Sequence, residues 1–297
     1  MANDSLPAGG RALVLGGGGA LGVAWETGLL AGLRESGIDI EGADLVVGTS
    51  AGSIVGTALA AGRLDDVITQ QSEAGDPALA PLMLEADLPE LMKVFARWSA
   101  LPELTQQSMA EIGQMALAAK TTSEERWLGY FRDNLPIDTW PERPLKLTAV
   151  DAATGAFQAW DRDSGVPIET AVASSCAVPG LFPCVTINGK RYTDGGVRSG
   201  TSADLAAGYE SVLIVAPIGA GKDGIDPLFG RTSRAEAEAL LTAGSAAELV
   251  FPDEGSLDAI GINRMDSSRR PQCVEAGTRQ ARALAERLAG AWAKARV

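Results

Sequence analysis

Hydrophobic positions along the chain follow two repeating patterns. Short apolar runs, typical of strands buried on both faces, occur at 12–15, 45–47, 145–150 and 212–216. Between them, apolar residues recur every three to four positions, as at Leu21, Trp25, Leu29 and Leu33 in the predicted helix 20–35. Alternating strands and helices of this kind predict an α/β fold, a three-layer α/β/α sandwich around a central, mostly parallel sheet.

The same patterns predict the remaining elements. Further helices are predicted at 53–59, 64–73, 88–98, 103–119, 123–131, 168–174, 236–248 and 269–296. Strands at 184–187 and 190–193 flank Asn188-Gly189, a pair that favours a type I′ turn, and therefore predict a hairpin. A further arm at 156–160 returns from the strand at 145–150, and 219–233 is predicted to be a loop.

Prolines recur between positions 77 and 144 and separate several of the predicted helices. We interpret 74–144 as a helical cap inserted into one domain that spans residues 1–297. Its core is expected at about 11–252, followed by a C-terminal helical segment at 253–297.

Composition and charge exclude several classes of partner. The 297 residues are 46% hydrophobic and 21% charged, as in soluble globular proteins. A net charge of −13 argues against nucleic acid and against electrostatic binding to anionic lipid, so any membrane contact should be apolar and transient. Three cysteines, no leader pattern and no membrane-spanning apolar run favour a cytoplasmic protein, at most peripheral to a membrane. The oligomeric state is left open.

The chain contains no histidine. This excludes Ser-His-Asp and Cys-His catalysis and every histidine-ligated metal site. A serine enzyme built from this sequence would need another base.

A candidate nucleophile follows the strand at 45–47. Ser50 lies in a G-x-S-x-G motif with Gly48, Ala51 and Gly52, between this strand and a predicted helix. Such a sharp strand–turn–helix connection exposes the serine hydroxyl at the end of a sheet. The alternative is a solvated serine in a turn of small residues.

A glycine-rich loop follows the first strand, with glycines at 16–19 and at Gly22. A G-x-G-x-x-G pattern here suits a dinucleotide, but the next strand ends in the Ser50 motif, where an acidic residue would be required to bind a ribose. Unencumbered amides before a helix are equally suited to a developing negative charge. We therefore favour an oxyanion hole, worth about 3–4 kcal/mol per donor in serine enzymes.

A candidate base, Asp194, follows the predicted hairpin and precedes Gly195 and Gly196. An ordinary aspartate, with a pKa of about 3.9, is a weak base for a hydroxyl, so it would need a short, oriented contact with Ser50. The alternative is an Asp-initiated turn. Asp151 is the rival base, although its D-x-x-T-G setting favours a hairpin turn.

Together, and without a histidine, these motifs resemble the patatin-like phospholipase family. The resemblance rests on Gly17-Gly18-Gly19-Ala20-Leu21-Gly22, on Gly48-Thr49-Ser50-Ala51-Gly52 and on Asp194-Gly195-Gly196, with weaker similarity at 151–155 and 173–183. It covers about residues 11–252. It implies a patatin-like sandwich and a Ser50–Asp194 dyad with the amides of Gly17, Gly18 and Gly19 as the oxyanion hole, and it needs no cofactor or metal.

The implied activity is hydrolysis of lipid acyl esters through an acyl-enzyme. Leu21 stands where similar proteins carry Arg or Lys, which favours neutral esters over phospholipids. The cap would form an apolar acyl pocket, for example with Leu91, Phe95 and Trp98, although core packing explains these residues as well. A nucleotide-binding oxidoreductase and a non-catalytic acyl-lipid binding module remain alternatives.

Overall fold

Strands and helices alternate through most of the chain. The computed structural model describes residues 10–221, 224–225 and 228–292. Its strands are β1 (Arg11–Leu15), β2 (Leu45–Gly48), β3 (Leu145–Asp151), β4 (Phe157–Trp160), β5 (Val185–Ile187), β6 (Lys190–Asp194), β7 (Ser211–Val215), β8 (Ala220–Gly221), β9 (Gly224–Ile225) and β10 (Ala246–Val250). Its helices are α1 (Gly19–Glu35), α2 (Ala51–Ala60), α3 (Leu64–Gln71), α4 (Ala80–Met83), α5 (Leu88–Ser99), α6 (Gln106–Ala118), α7 (Glu124–Asn134), α8 (Ile168–Ser175), α9 (Phe229–Thr242), α10 (Glu254–Ile260) and α11 (Arg270–Trp292).

The main sheet is mixed, with strand order β10-β7-β1-β2-β3-β6-β5 and β4 also paired with β3. The five strands from β10 to β3 run parallel to one another. The pairs of β3 with β4, β3 with β6 and β5 with β6 are antiparallel. The predicted central, mostly parallel sheet is therefore confirmed, with an antiparallel edge beyond β3.

Helices cover both faces of this sheet. On β1, Leu13 packs on one side with residues of α1 such as Trp25. Val14 packs on the opposite side with Leu240 of α9. Successive side chains of a strand point to opposite faces, so a run that is apolar throughout requires a layer on each side. The three-layer arrangement is thus confirmed.

The helices between α3 and β3 contribute to the main core. Trp127 of α7 stacks on Phe182 with ring centroids 3.9 Å apart, and its Nε1 donates to the Ala173 carbonyl at 3.0 Å. From α6, Ile112 packs with Val150 of β3. This stretch, which the prolines marked as an insertion, is helical and lies against the sheet and α8.

Two predicted elements near the C-terminus are wrong. The helix expected at 236–248 ends at Thr242, and 246–250 forms the edge strand β10 beside β7. Gly244, with φ of +100°, turns the chain, and ladder hydrogen bonds then override the helical propensity of Ala-Ala-Glu-Leu. The expected loop at 219–233 contains β8, β9 and the start of α9. Residues 222–223, 226–227 and the part of the predicted last helix beyond Trp292 lie outside the described residues.

Among the described helices, none combines the length and apolar character that crossing a bilayer demands.

Candidate functional site

Ser50 occupies a strained turn between β2 and α2. Its backbone has φ of +52° and ψ of −115°, a conformation that non-glycine residues rarely adopt. The Ser50 amide donates to the Ser175 hydroxyl at 2.9 Å, which anchors the turn. A side chain at Gly52 would place its Cβ 2.1 Å from the Leu15 carbonyl oxygen, so only glycine lets α2 start this close to β1. The sequence thus forms the sharp connection that the G-x-S-x-G motif predicts.

The sheet register brings Asp194 to the level of Ser50. Gly48 of β2 pairs with Leu147 of β3, and Ala149, two residues further along β3, pairs with Asp194. Ser50 lies two residues beyond Gly48. β3 continues past the end of β2, and β6, which runs antiparallel to β3, ends opposite Ala149, at the level of Ser50.

The Asp194 carboxyl group is buried, and only one of its two oxygens has a hydrogen-bond partner among the described residues. Its Oδ1 accepts a hydrogen bond from the Gly196 amide at 2.7 Å, whereas Oδ2 has no partner among the described residues. Burial raises the pKa of Asp194 to about 7, although the Ser50 hydroxyl and the Gly196 amide act in the opposite direction. The hydroxyl is therefore close enough to affect this carboxylate without forming a fully aligned hydrogen bond. Such contacts commonly tighten only when substrate binds.

The glycine-rich loop faces the same edge of the sheet, and its amides have different partners. The Gly17 amide donates to the Gly200 carbonyl at 2.8 Å, so this N–H is already occupied. The amides of Gly18 and Gly19 have no acceptor within 10–221, 224–225 or 228–292. The same holds for the Ala51 amide at the start of α2. Gly19 has φ of +66°, and its N–H belongs to the first turn of α1.

Leu21 is fully buried in the core cluster beneath this loop. Its amide donates to the Arg264 carbonyl at 2.9 Å, and the Arg264 guanidinium donates to the Pro217 carbonyl at 3.1 Å. A cation does approach the glycine loop, but it comes from a segment far along the chain.

A pocket opens beside Ser50. Its wall is mainly apolar, including Val23, Ile54, Trp127 and Phe182. The predicted cap does contribute to this wall, through residues such as Trp127 and Phe131 of α7, whereas Leu91, Phe95 and Trp98 do not line it. Trp98 instead packs into the core near Gly196. Leu91 lies against Gly180, and Phe95 is partly exposed.

Asp151 forms the turn that its sequence setting favours. Its Oδ1 accepts hydrogen bonds from the Ala153 and Thr154 amides at 3.0 and 3.1 Å. Lys190 Nζ lies 3.6 Å from Oδ2. Both oxygens therefore have partners away from Ser50.

Sequence reasoning missed the residues that support the site. The helix predicted at 168–174 ends just before Ser175, whose hydroxyl accepts a hydrogen bond from the Ser50 amide. The Cys176 thiol donates to the Ser50 carbonyl at 3.3 Å, and Gly200 holds the glycine loop through Gly17. The stretch around Ser175 and Cys176 carried a weak signal in its resemblance to the family, but no local pattern marked Gly200. No grouping of acidic or cysteine side chains within the described part of the chain is suited to hold a metal ion.

The chain is similar in sequence to proteins of two Mycobacterium species. Uncharacterized NTE family proteins of Mycobacterium bovis and of Mycobacterium tuberculosis are each 29% identical to this chain over 208 residues. These matches cover 69% of this chain and 48% of each relative, so the chain matches about half the length of these proteins. The fold also aligns with the crystal structure of VipD from Legionella pneumophila, with a TM-score of 0.49, 16% sequence identity, and coverage of 95% of this chain and 68% of VipD.

The family model described as patatin-like phospholipase matches residues 13–207. This range begins within β1 and extends beyond Asp194, so it includes the glycine loop, the Ser50 turn and the carboxylate that meets it. With about two thirds of its length matched, the chain belongs to the patatin-like phospholipase family.

Proposed function

We propose that this protein is a serine acyl hydrolase that cleaves lipid acyl esters, with Ser50 as nucleophile and Asp194 as general base. The observation that carries the proposal is the buried Asp194 carboxylate, which has one oxygen without a partner among the described residues and is close enough to be affected by the hydroxyl of Ser50, a serine held at φ of +52°. A carboxylate whose pKa burial raises to about 7 is a far better proton acceptor near neutral pH than an ordinary aspartate.

In the first step, Asp194 accepts the Ser50 proton while the serine oxygen attacks the ester carbonyl carbon. The carbonyl oxygen becomes an oxyanion. We assign its stabilisation to the free amides of Gly18 and Gly19, with the Ala51 amide on the same edge. The Gly17 amide, to which the family resemblance assigns the same role, instead donates to the Gly200 carbonyl.

Collapse of the tetrahedral intermediate breaks the bond to the alcohol, which leaves with the proton held by Asp194. Water then attacks the acyl-enzyme, again giving its proton to Asp194, and Ser50 recovers its proton as the fatty acid leaves. Every proton is carried by the Asp194 carboxyl group, so the cycle requires neither an imidazole nor a metal.

The apolar pocket beside Ser50 is suited to an acyl chain, because aliphatic and aromatic side chains form most of its wall. We expect contact with a lipid surface to be apolar. Leu84, Leu88 and Met92 expose 86%, 64% and 59% of their surface around α4 and α5, whereas the net charge of −13 repels anionic lipid. Uncharged or zwitterionic surfaces fit this combination.

The test is covalent labelling of Ser50. A fluorophosphonate probe should add one adduct to the wild-type protein and none to Ser50→Ala, and the variant should lose at least about 10⁴-fold in turnover of p-nitrophenyl acyl esters. Ser99→Ala, on an exposed position of α5, is the matched control and should label normally. Undiminished turnover by Ser50→Ala would refute the proposal. Saturable lipid binding without any adduct would indicate a non-catalytic module, and saturable NAD binding would indicate the oxidoreductase alternative.

A further inference from the structure

A group of polar residues interrupts the apolar wall of the pocket beside Ser50. Gln71 ends α3, Tyr130 lies on α7 and Arg270 begins α11, and all three line the pocket. Asp76 sits behind them. Its Oδ2 accepts hydrogen bonds from Arg270 Nη2 at 2.5 Å and from the Tyr130 hydroxyl at 2.9 Å, while Arg270 Nη1 donates to the Gly75 carbonyl at 2.9 Å.

Two atoms of this group are left without partners. Arg270 Nε, a donor, and Gln71 Oε1, an acceptor, are buried and form no hydrogen bond with any residue that the structure describes. Gln71 is 2% exposed and Arg270 is 5% exposed. Unpartnered buried polar atoms are costly, and native structures normally satisfy them with protein, water or ligand.

The chemistry of this pair favours a neutral group over an anion. The Arg270 charge is already balanced by Asp76, with both side chains almost fully buried at 6% and 7% exposure. The Tyr130 hydroxyl donates its one proton to the same carboxylate and cannot donate to a second oxygen. Among the buried atoms of this group, one N–H donor and one carbonyl acceptor are left without a partner, and together they complement a hydroxyl group.

We propose that Gln71 and Arg270 form a subsite for a hydroxyl group carried by the acyl chain of the substrate. The hydroxyl donates to Gln71 Oε1 and accepts from Arg270 Nε, while the apolar walls enclose the flanking methylenes. This inference rests on the proposed function and specifies its substrate class as esters of hydroxylated fatty acids.

The subsite lies on the same pocket wall as the nucleophile turn. Ser50 and Cys176 line the same pocket as Gln71 and Arg270, and the Cys176 thiol donates to the Ser50 carbonyl. A series of positional isomers can locate the hydroxyl along the acyl chain.

The first test is equilibrium binding of free fatty acids to the wild-type protein by calorimetry, since these ligands contain no ester to cleave. Chain-matched acids carrying one hydroxyl at successive positions are compared with the plain acid. We expect one narrow range of positions to bind about tenfold tighter than the plain acid, because a site with buried polar atoms rejects a ligand that leaves them unpaired. If every hydroxylated acid binds no better than the plain acid, the pair holds water alone and the proposal is overturned.

The second test assigns the preference to these side chains. Gln71→Leu should abolish the tenfold preference, whereas Gln70→Leu, the neighbouring pocket residue without a buried unpartnered atom, should retain it. Arg270→Lys keeps the charge opposite Asp76 but removes the Nε donor, so it should also reduce the preference, with melting curves verifying that both variants fold. A preference that survives in both variants would overturn the assignment.

The two proposals can fail separately. Loss of plain-ester turnover and probe labelling in Ser50→Ala tests the hydrolase, whereas fatty-acid binding tests the subsite without requiring turnover. Hydroxyl-selective binding together with a Ser50→Ala variant that still turns over would refute the nucleophile and leave the subsite standing.

Discussion

Two buried aspartates end neighbouring strands of the sheet, and their surroundings differ. Asp151, at the end of β3, has Oδ1 bound by two amides and Oδ2 within 3.6 Å of Lys190. Asp194, at the end of β6, has one amide on Oδ1 and no partner on Oδ2 among the described residues. It also forms no ion pair with any of them.

The comparison shows that both oxygens of the same side chain have partners in one place, whereas one oxygen is without a partner among the described residues in the other. At Asp151 the acceptor capacity is used to fix the backbone. At Asp194 one oxygen accepts no hydrogen bond from the described residues. Burial of this carboxyl group without a nearby cation raises its pKa to about 7. We therefore expect catalysis to depend on Asp194 and to be nearly independent of Asp151.

The largest expected effect is on turnover. Asp194→Asn should lower kcat/KM for acyl esters by about 10³-fold, because an amide cannot accept the serine proton. Asp151→Asn keeps an acceptor for the turn amides and should stay within about threefold of wild type. Steady-state assays of both variants decide the matter. The reverse order of effects would make Asp151 the base.

A second effect of Asp194→Asn should appear in how the free energy of unfolding depends on pH. Burial raises the pKa of Asp194 from the ordinary aspartate value to about 7 in the folded protein, so its contribution to stability is fully present below the unfolded pKa and is lost as pH rises through 7. The Asp194→Asn variant does not lose this stability, because an amide does not ionise. Its stability relative to wild type should grow by on the order of 3–4 kcal/mol between about pH 4 and pH 8 in urea unfolding.

Burial also raises the pKa of Glu26 well above its usual range, but Glu26 is present in both proteins and cancels from the difference. A stability difference between Asp194→Asn and wild type that does not change with pH would contradict the raised pKa.

A third effect is on the pH dependence of catalysis. Since the base must be ionised, kcat/KM should rise about tenfold per pH unit below about pH 7 and level off above it, a loss of roughly 10²-fold by pH 5. Asp151→Asn should leave this profile in place. A profile that levels off near pH 4 would mean that Asp194 titrates as an ordinary carboxyl group.

The smallest expected effect comes from the cation beside Asp151. Lys190 is largely exposed, and its ion pair with Asp151 is long, so Lys190→Met should change the free energy of unfolding by less than about 1 kcal/mol. Turnover should not change. A large loss of activity would show that Asp151 communicates with the site, and would weaken the contrast between the two aspartates.

Much of the fold could be predicted because the strands around Ser50 are short apolar runs, which can be recognised from a few neighbouring residues. Most predicted strands and helices are confirmed with small shifts at their ends. The exception at β10 is instructive. The residues 246–250 have no strong strand pattern of their own, and only pairing with β7 makes them a strand.

The residues of the site could be predicted from the sequence, but the hydrogen bonds that they form with distant residues could not. Glycine and serine spacing marked the turn at Ser50, since only small residues permit that backbone. The free or occupied state of each loop amide depends on contacts such as Gly17 with Gly200, which join positions far apart in sequence. The same applies to the pocket, whose wall is built from α1, α2, α3, α7 and α11 rather than from α5.

The sequence by itself determined that this protein has an α/β sheet, a serine on a sharp turn and no histidine to assist it, because these follow from local pattern and composition. Tertiary structure decided which aspartate meets the serine. Register aligns the end of antiparallel β6 with the end of parallel β2. The packing around Asp194 leaves one of its oxygens buried and without a hydrogen-bond partner among the described residues. Burial and register are properties of the assembled sheet, and no local stretch of sequence encodes them alone.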